Sequence, residues 1–498
     1  MIHECLAFGR RVVLSQPSSA DKTADVDRLK EGLTVLGLHP VSVPLDVLKR
    51  LPDALRRNDF SLDVVLGRFA QEYRLLDLGN TAVYGIALDI GTTTIEGALF
   101  DLRERKQLDV LEFENPQIVY GTDVLSRVQM AMAGRGEEIT HVLREGVNRL
   151  IQSVCARNNV DRRHVYALTV AGNTIMSHFF LGLDVSNIPL APNIPAFSSE
   201  VFFAAQDAGI SVHPHAIIYV FPNAGSYVGG DIISGLLCTG MHKQDAPVLF
   251  MDVGTNVEIA LGCRDWIMVG AGAAGPALEG GVADIGKKAE KGTISGVEID
   301  RKTKETRLTV ISGGDPEGIC GSGLIDLVSE LYATGIIDRA GKFAVDEKGV
   351  VIKDGETAYQ VYRSQGKDLL VTERELQNFL RSKAAMFAFL FVFLRTVGLK
   401  IADIGKISVS GALGCGINIE SAVNIGMFPD IKRERIVPIG NSSLKGASMV
   451  LIDGSLINDV ERIRSLITYR EMCEDTDLLN ILQGALFIPH TDPEMLKG

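Results

Sequence analysis

The 498-residue sequence has few cysteines and no long apolar run, and both shortages exclude classes of protein. No two of the seven cysteines have the spacing of a metal or redox motif, so we expect no disulfide scaffold and a reduced, cytoplasmic interior. The longest apolar run is Ala384 to Leu394. As a helix it covers about 16 Å, against about 30 Å for a bilayer core, so it predicts a buried core helix. Residues 1–11 lack the apolar segment of a signal peptide.

The sequence also has fewer basic than acidic residues. Lysine and arginine number 50 against 62 aspartates and glutamates, which gives a net charge of −12. A nucleic-acid partner is therefore not expected, because binding to a phosphate backbone needs clustered basic side chains. Local phosphate sites built from backbone N–H groups escape this argument. The 46% hydrophobic content and mean hydropathy of +0.17 indicate a well-packed globular protein with several domains.

The most informative feature that is present is a motif that occurs twice. Residues 88–95 read LDIGTTTI, and residues 251–258 read MDVGTNVE. Each copy predicts a strand, a tight turn with Gly-Thr, and a second strand. The glycine allows close backbone approach to a ligand, and the turn N–H groups with the threonine hydroxyls form an anion cradle. A single Asp-x-Gly-Thr copy is more often an ordinary hairpin, but two copies with matching flanks favour binding of a polyphosphate.

The two motifs supply the first candidate site residues. Asp89 and Asp252 are candidates for catalysis and for holding Mg²⁺ through water, since Mg²⁺ takes few carboxylates and keeps waters. The candidate phosphate-binding residues of the two turns are Gly91, Thr92, Thr93, Thr94, Gly254, Thr255 and Asn256. Asp231 opens a predicted helix and is a third catalytic candidate, for orienting the attacking water. Its alternative role is that of an N-cap.

Three glycine clusters lie where predicted strands meet helices, at residues 270–276, 318–323 and 411–416. A helix N-terminus preceded by glycine suits an anion or a ribose, and the alternative is close helix–strand packing. The cofactor candidates from these clusters are Gly272, Gly275, Gly321, Ser322, Gly411, Ala412 and Gly414. No Walker lysine follows any cluster, and no Gly-x-Gly-x-x-Gly stands between a first strand and helix. A P-loop and a Rossmann site are therefore not indicated.

The pattern of strands and helices predicts an α/β protein in four parts. Residues 1–25 are an extended lead-in, and residues 26–80 form a small α/β domain. Residues 81–245 and 246–498 share one pattern, in which an Asp-x-Gly-Thr hairpin is followed by alternating strands and helices. This indicates two duplicated halves with a shared cleft. In the second half, Thr372 and Glu375 form a capping box that opens the helix containing the long apolar run.

The motifs resemble those of the acetate and sugar kinase, heat-shock chaperone and actin superfamily. The two Asp-x-Gly-Thr hairpins look like its phosphate-1 and phosphate-2 loops, and residues 411–414 resemble its adenosine motif. More narrowly, the chain is similar to the reductive activators of corrinoid proteins (RACo type) over roughly residues 30–490. The motifs that carry this resemblance are residues 170–174, 227–232, 275–280, 318–326, 424–430 and 440–447. The resemblance implies ribonuclease H-like (actin-like ATPase) halves around a nucleotide cleft.

The resemblance also implies a function. RACo-type proteins use ATP to return Co(II) corrinoid on a protein of a methyltransferase system to Co(I). Their electron comes from an N-terminal plant-type [2Fe–2S] domain. Here no Cys-x₄-Cys-x₂-Cys run exists, and the chain begins where that domain would end. We therefore expect no iron–sulfur cluster in this chain and residues 1–25 as a linker or remnant around Cys5. Either the sequence is truncated, or the electron comes from a separate ferredoxin-like protein.

Other functions remain open from the sequence. An activator of a 2-hydroxyacyl-CoA dehydratase or benzoyl-CoA reductase belongs to the same superfamily, but no cysteine pair suited to its [4Fe–4S] cluster is evident. A small-molecule kinase shares the phosphate hairpins, although no substrate-binding signature is apparent. A nucleotide-sensing scaffold without turnover is the non-enzymatic alternative. The resemblance leaves a homodimer open, and we expect no membrane partner.

Overall fold

The computed structural model describes residues 4–226, 228–254, 257–272, 281–364, 366–411, 414, 416–470 and 478–497. These residues form two compact units. Unit 1 contains the chain up to Cys238 together with Ser443–Ser465, and unit 2 contains Thr239–Ser442 and the chain from Leu466 onward. The chain therefore passes from unit 2 back into unit 1 before it ends in unit 2.

Unit 1 begins with a four-stranded sheet of order β1-β3-β4-β2. Its strands are β1 (Ala7–Val13), β2 (Val41–Ser42), β3 (Ser61–Phe69) and β4 (Glu72–Leu78), and its helices are α1 (Asp25–Val35) and α2 (Leu45–Arg57). The buried leucines and valines of both helices share one apolar cluster with the sheet. β1 pairs antiparallel with β3 from Ala7–Gly67 to Val13–Ser61. Residues 7–13, which the sequence predicts as part of the extended lead-in, thus form a strand of this sheet. The division of the chain into four domains remains a prediction.

The second sheet of unit 1 has the order β7-β6-β5-β8-β10-β9. Its strands are β5 (Tyr84–Ile90), β6 (Thr94–Asp101), β7 (Lys106–Glu114), β8 (Val165–Gly172), β9 (Val201–Ala204) and β10 (Ile217–Val220). The helices that follow these strands are α3 (Val124–Met130), α4 (Gly136–Arg157), α5 (Thr174–Leu181) and α6 (Gly230–Thr239). β5 to β7 form an antiparallel meander, and β8 lies parallel to β5 and β10. α4 packs its apolar face on this sheet.

The remaining elements follow in chain order. The strands are β11 (Val248–Val253), β12 (Val257–Gly262), β13 (Ile267–Gly272), β14 (Thr293–Ile299), β15 (Thr306–Val310), β16 (Gly318–Ile319), β17 (Val350–Lys353), β18 (Glu356–Ser364), β19 (Lys367–Thr372), β20 (Lys406–Gly411), β21 (Ile436–Gly440) and β22 (Ile467–Tyr469). The helices are α7 (Gly321–Ala333), α8 (Glu373–Thr396), α9 (Ile419–Asn424), α10 (Ser442–Ile452), α11 (Ile457–Leu466) and α12 (Leu478–Ala485).

The large sheet of unit 2 repeats the plan of unit 1. Its order is β21-β20-β11-β12-β13-β22, so β13-β12-β11-β20-β21 corresponds strand for strand to β7-β6-β5-β8-β10. In both sheets the first three strands form an antiparallel meander, and the next two strands add in parallel to the first. The predicted duplication of ribonuclease H-like halves is confirmed. Two three-stranded sheets, β15-β14-β16 and β17-β18-β19, are inserted between β13 and β20, and neither was predicted.

The long apolar run lies inside α8, as expected. The helix begins with the predicted capping box, in which the Glu375 amide donates to the Thr372 hydroxyl and the Thr372 amide donates to the Glu375 carboxylate. Nearly the whole run is buried in the main core of unit 2. In the part of the chain that the structure describes, no helix is long and apolar enough to cross a membrane.

Candidate nucleotide-binding turns

The first candidate turn joins β5 to β6 in unit 1. Asp89 pairs with Glu96 across the hairpin, and Ile90 and Ile95 are the last pair before the turn. The Gly91 amide donates to the Thr94 carbonyl at 2.9 Å, which closes the turn. Among the described residues, no acceptor is hydrogen-bonded to the amides of Thr92 and Thr93. These two N–H groups are therefore the donors that the turn can offer to an anion.

Three side chains that lie elsewhere in the sequence hold this turn. Asn115 is buried and donates from Nδ2 to the Gly91 carbonyl at 2.8 Å, while its own amide donates to the Thr93 carbonyl at 2.8 Å. Arg127 donates from Nη2 to the Thr92 carbonyl at 2.7 Å. All three turn carbonyls thus have donors from neighbouring segments.

The third side chain is Asn173, which connects the turn to a helix start. Its Nδ2 lies 3.2 Å from the Thr92 hydroxyl, and its Oδ1 caps α5 by accepting the Met176 amide at 2.9 Å. One amide side chain thereby fixes both the first turn of α5 and a candidate phosphate-binding threonine. Asn173 belongs to a motif that carried the family resemblance but was not predicted as a site residue.

Asp89 has a defined partner within unit 1. The hydroxyl of Ser443, at the start of α10, donates to Oδ1 of Asp89 at 2.7 Å. Ser443 is buried, whereas Asp89 is partly exposed at the edge of the sheet. A hydroxyl donor to a carboxylate favours the charged form and restricts its orientation. Ser443 therefore restricts the orientation of the Asp89 carboxylate.

Asp231 lies in the first turn of α6, one residue inside the helix and not at its cap. Its Oδ1 accepts the amide of Ile232 at 2.8 Å. Gly229 is in such close backbone contact with Gly172 and Asn173 that a Cβ atom there would overlap them. This contact places the start of α6 beside Asn173, and therefore near the first candidate turn.

The second candidate turn joins β11 to β12 in unit 2. Asp252 is one residue from the end of β11, and Gly254 follows the strand. Thr255 and Asn256, two of the predicted turn residues, lie outside the described residues. Ser410 of β20 is the register partner of Asp252, and its hydroxyl lies 3.3 Å from the Asp252 carboxylate. The same hydroxyl lies 2.6 Å from the Ser442 hydroxyl.

The predicted adenosine motif lies at the end of β20. Gly411 has a φ of +74°, and a Cβ atom there would overlap the Asp252 carboxylate and the Val253 carbonyl. At Gly414 a Cβ atom would lie 2.9 Å from the backbone N and O of Gly440. Glycine at both positions allows the backbone to approach its neighbours closely, which is the property expected of a nucleoside-contacting segment. Ala412 lies outside the described residues.

The other glycine clusters have packing roles in the structure. A Cβ atom at Gly272 would overlap the Phe389 ring of α8. Gly321 is the first residue of α7, and the buried Ser322 hydroxyl donates to the Ser295 carbonyl at 3.2 Å. These contacts match the packing alternative, and a role at a nucleotide remains a prediction for the three residues. Gly275 lies outside the described residues.

The donor chemistry of the two turns fits magnesium. Each turn offers one carboxylate, which is Asp89 in the first turn and Asp252 in the second. The first turn also offers threonine hydroxyls and backbone amides. Mg²⁺ bound to phosphate oxygens keeps several waters and takes only one or two carboxylates. Within the described ranges, no group of three or more His, Cys, Asp and Glu side chains is arranged to hold a metal ion. The described cysteines Cys5, Cys155, Cys238, Cys263 and Cys320 are all free thiols.

Two sheets that share a five-strand order, each with an Asp-bearing hairpin, define an actin-like ATPase fold of the acetate and sugar kinase, heat-shock chaperone and actin superfamily. Three family models match the chain in succession. They are the RACo linker region at residues 9–82, the RACo middle region at 84–244, and the C-terminal ASKHA domain of RACo at 246–497. The chain belongs to the RACo family, as the sequence motifs predict.

Individual relatives agree with this assignment. The corrinoid activation enzyme RamQ of Eubacterium limosum is 29% identical over 489 residues, which cover 88% of this chain and 80% of that protein. The [Co(II) methylated amine-specific corrinoid protein] reductase of Methanosarcina barkeri is 27% identical and covers 78% of this chain and 73% of its own length. A solved structure of a reductive activator for a corrinoid, iron–sulfur protein is 34% identical with a TM-score of 0.92. It covers 99% of this chain and 80% of its own.

Proposed function

We propose that this chain is an ATP-dependent reductive activator that returns the cobalt of a corrinoid protein from Co(II) to Co(I). The observation that carries the proposal is the pair of Asp-bearing hairpins, in a chain that is similar to such activators over nearly all its length. The partner is a corrinoid protein of a methyltransferase system. We further propose that a ferredoxin-like protein supplies the low-potential electron, and that the reaction takes place in the cytoplasm.

The residues of the turns divide the work on ATP. The amides of Thr92 and Thr93 bind phosphate oxygens, and the Asn173 contact keeps the Thr92 hydroxyl in place. Asp89 and Asp252 hold the waters of Mg²⁺, whose positive charge neutralises the phosphates when it is bound. Asp231, at the start of α6, orients the attacking water.

The remaining residues shape the site without contacting the reacting atoms. Ser443 and Ser410 orient the two carboxylates. The close backbone approach at Gly411 and Gly414 forms the surface for adenosine. The site therefore relies on backbone groups and few charges, in agreement with the acidic chain as a whole.

ATP is needed because the electron transfer is uphill. Co(I) corrinoid is a stronger reductant than ordinary cellular donors. A gap on the order of 200 mV corresponds to about 5 kcal/mol for one electron. A nucleotide can shift such an equilibrium only through different affinities for two states of the protein. The ATP-bound state must therefore bind the Co(II) corrinoid protein differently from the ADP-bound state.

Phosphate release from Mg-ATP tests the assignment of the aspartates. We expect turnover by the wild-type chain that rises when the Co(II) corrinoid protein is added. Asp89→Ala and Asp252→Ala should each lower turnover by about 100-fold, or ~2.7 kcal/mol of barrier. Asp245→Ala, a surface substitution in unit 2, is the control and should leave turnover unchanged. Tight ATP binding with no phosphate release, even with the partner present, would contradict the proposal and favour a nucleotide-sensing scaffold.

A further inference from the structure

Arg127 of α3 is a fully buried arginine that contacts the first candidate turn. Besides the 2.7 Å bond from Nη2 to the Thr92 carbonyl, its Nε donates to the Gly121 carbonyl at 2.9 Å. Nη1 lies 3.2 Å from Oε1 of Gln117 and 3.6 Å from Sδ of Met176. The guanidinium thus joins the turn to two neighbouring segments.

The charge of Arg127 has no compensating ion pair. Its four hydrogen-bond acceptors are neutral, and no carboxylate forms an ion pair with it at 4.0 Å or less in the portion of the chain that the structure describes. The nearby Asp123 carboxylate accepts both the amide and the hydroxyl of Ser126. Burial lowers the pKa of Arg127 to about 10, so the group is still charged near pH 7. The charge of Asp123 raises this pKa by less than burial lowers it, so the charge of Arg127 is only partly compensated. Such a buried charge lowers the free energy of unfolding unless something else offsets it.

The position of this charge suggests what offsets it. Arg127 is hydrogen-bonded to the carbonyl of the Thr92–Thr93 peptide, whose N–H belongs to Thr93. In a trans peptide the N–H points away from the carbonyl, so Arg127 lies behind the donor side of the turn. Neither this N–H nor that of Thr92 has an acceptor among the described residues. A polyphosphate on the front of the turn would supply negative charge a short distance from the guanidinium. In this low-dielectric setting the attraction is stronger than at an exposed site.

We propose that Arg127 is a positioning residue for the polyphosphate of ATP and ADP: it fixes the Thr92 peptide and adds positive potential behind the turn without touching the nucleotide. The inference rests on the proposed function, since it assumes that the turn binds phosphate. Asn115 holds the same turn but is uncharged, so this electrostatic role is assigned to Arg127 and not to Asn115.

The test compares ligands with and without phosphates. ADP and adenosine affinities are measured by competition against a fluorescent ADP analogue, for the wild type, Arg127→Gln and Arg127→Lys. We expect Arg127→Gln to weaken ADP binding about tenfold, or ~1.4 kcal/mol, while adenosine affinity changes less than about twofold. Arg127→Lys should fall between, because lysine keeps the charge but loses the planar fork.

Arg144→Gln is the matched control. Arg144 is a half-buried arginine of α4 that donates to the Phe180 carbonyl at 2.9 Å, and burial lowers its pKa as well. Its side chain is not hydrogen-bonded to the turn, so both affinities should stay at the wild-type values.

Two results would overturn the inference. One is an unchanged ADP affinity in Arg127→Gln, and the other is an equal loss for ADP and adenosine, which a merely structural role produces. If Arg127→Gln does not fold, Arg127→Lys decides by the same comparison. A wild-type chain that binds neither ADP nor ATP would instead remove the proposed function, so the two failures are distinguishable.

Discussion

Ser443 and Asp89 are 354 positions apart in the sequence, yet the Ser443 hydroxyl donates a 2.7 Å hydrogen bond to the Asp89 carboxylate. Asp252 has a counterpart in Ser410, at 3.3 Å. Each of the two aspartates with the strongest sequence support is therefore next to a buried serine. Ser442 adjoins Ser443 in the chain and contacts Ser410, so consecutive residues at the start of α10 take part in both arrangements.

The first prediction concerns the Ser443–Asp89 hydrogen bond. A bond to a charged group contributes about 1.5–3 kcal/mol, and its loss leaves Asp89 free to rotate. Ser443→Ala should therefore lower the rate of ATP hydrolysis roughly tenfold, with ~1.4 kcal/mol as the corresponding barrier. Ser448→Ala is the control, because Ser448 lies on the same helix but donates to the Leu444 carbonyl. Equal phosphate release by the two variants would argue against an orienting role for Ser443.

A second prediction concerns the stability cost of an alanine at Gly411, in the predicted adenosine motif. This cost has two parts, backbone strain from the positive φ and overlap of the new Cβ atom with its neighbours. Gly411 and Gly398 both have positive φ, +74° and +71°, but only Gly411 has atoms where a Cβ would lie. An alanine costs about 1–2 kcal/mol at either position from φ alone. Gly411→Ala should cost a further ~1–3 kcal/mol from overlap with Asp252 and Val253. Urea unfolding measures the difference, and equal destabilisation of the two variants would contradict the geometry at Gly411.

A third prediction concerns pH and the buried Lys383 of α8. Its ammonium donates to the carbonyls of Ala485, Phe487 and Pro489 at 2.6–2.7 Å. Burial lowers the pKa of Lys383 from 10.5 to about 7. Between these values the unfolded chain holds the proton and the folded chain releases it, so the free energy of unfolding rises with pH.

Replacement of Lys383 should remove this pH dependence. From pH 7 toward pH 10.5, the unfolding free energy of the wild type should therefore rise relative to that of Lys383→Met. The rise is up to about 1.4 kcal/mol per pH unit. Lys400→Met, at an exposed position, is the control. Parallel profiles for the wild type and Lys383→Met would show that the three carbonyls keep the ammonium charged across the range.

Much of the fold follows from local sequence patterns. Both hairpins were predicted because strand–turn–strand signals lie within a few residues of each other. The start of α8 was predicted because the Thr372–Glu375 capping box is also local. The family assignment rests on many short motifs in order, and the family models confirm it.

The residues that hold the turns had no such local signal. Asn115, Arg127 and Ser443 reach Gly91, Thr92 and Asp89 only through the tertiary structure. A buried arginine and a surface arginine look the same in one sequence. Ser443 and Asn173 do lie in motifs that carry the family resemblance. Polar residues within those motifs could therefore have been chosen as site candidates. The catalytic and binding roles of all these residues stay predictions.

Anaerobic spectroscopy tests the proposed activity directly, with a Co(II) corrinoid protein mixed with this chain and a reduced [2Fe–2S] ferredoxin, in the presence and absence of Mg-ATP. The proposed function predicts that the Co(I) spectrum forms only when ATP is present, and that it fails to form with Asp89→Ala or Asp252→Ala. Formation of Co(I) at the same rate without ATP, or with both variants at the wild-type rate, would contradict it.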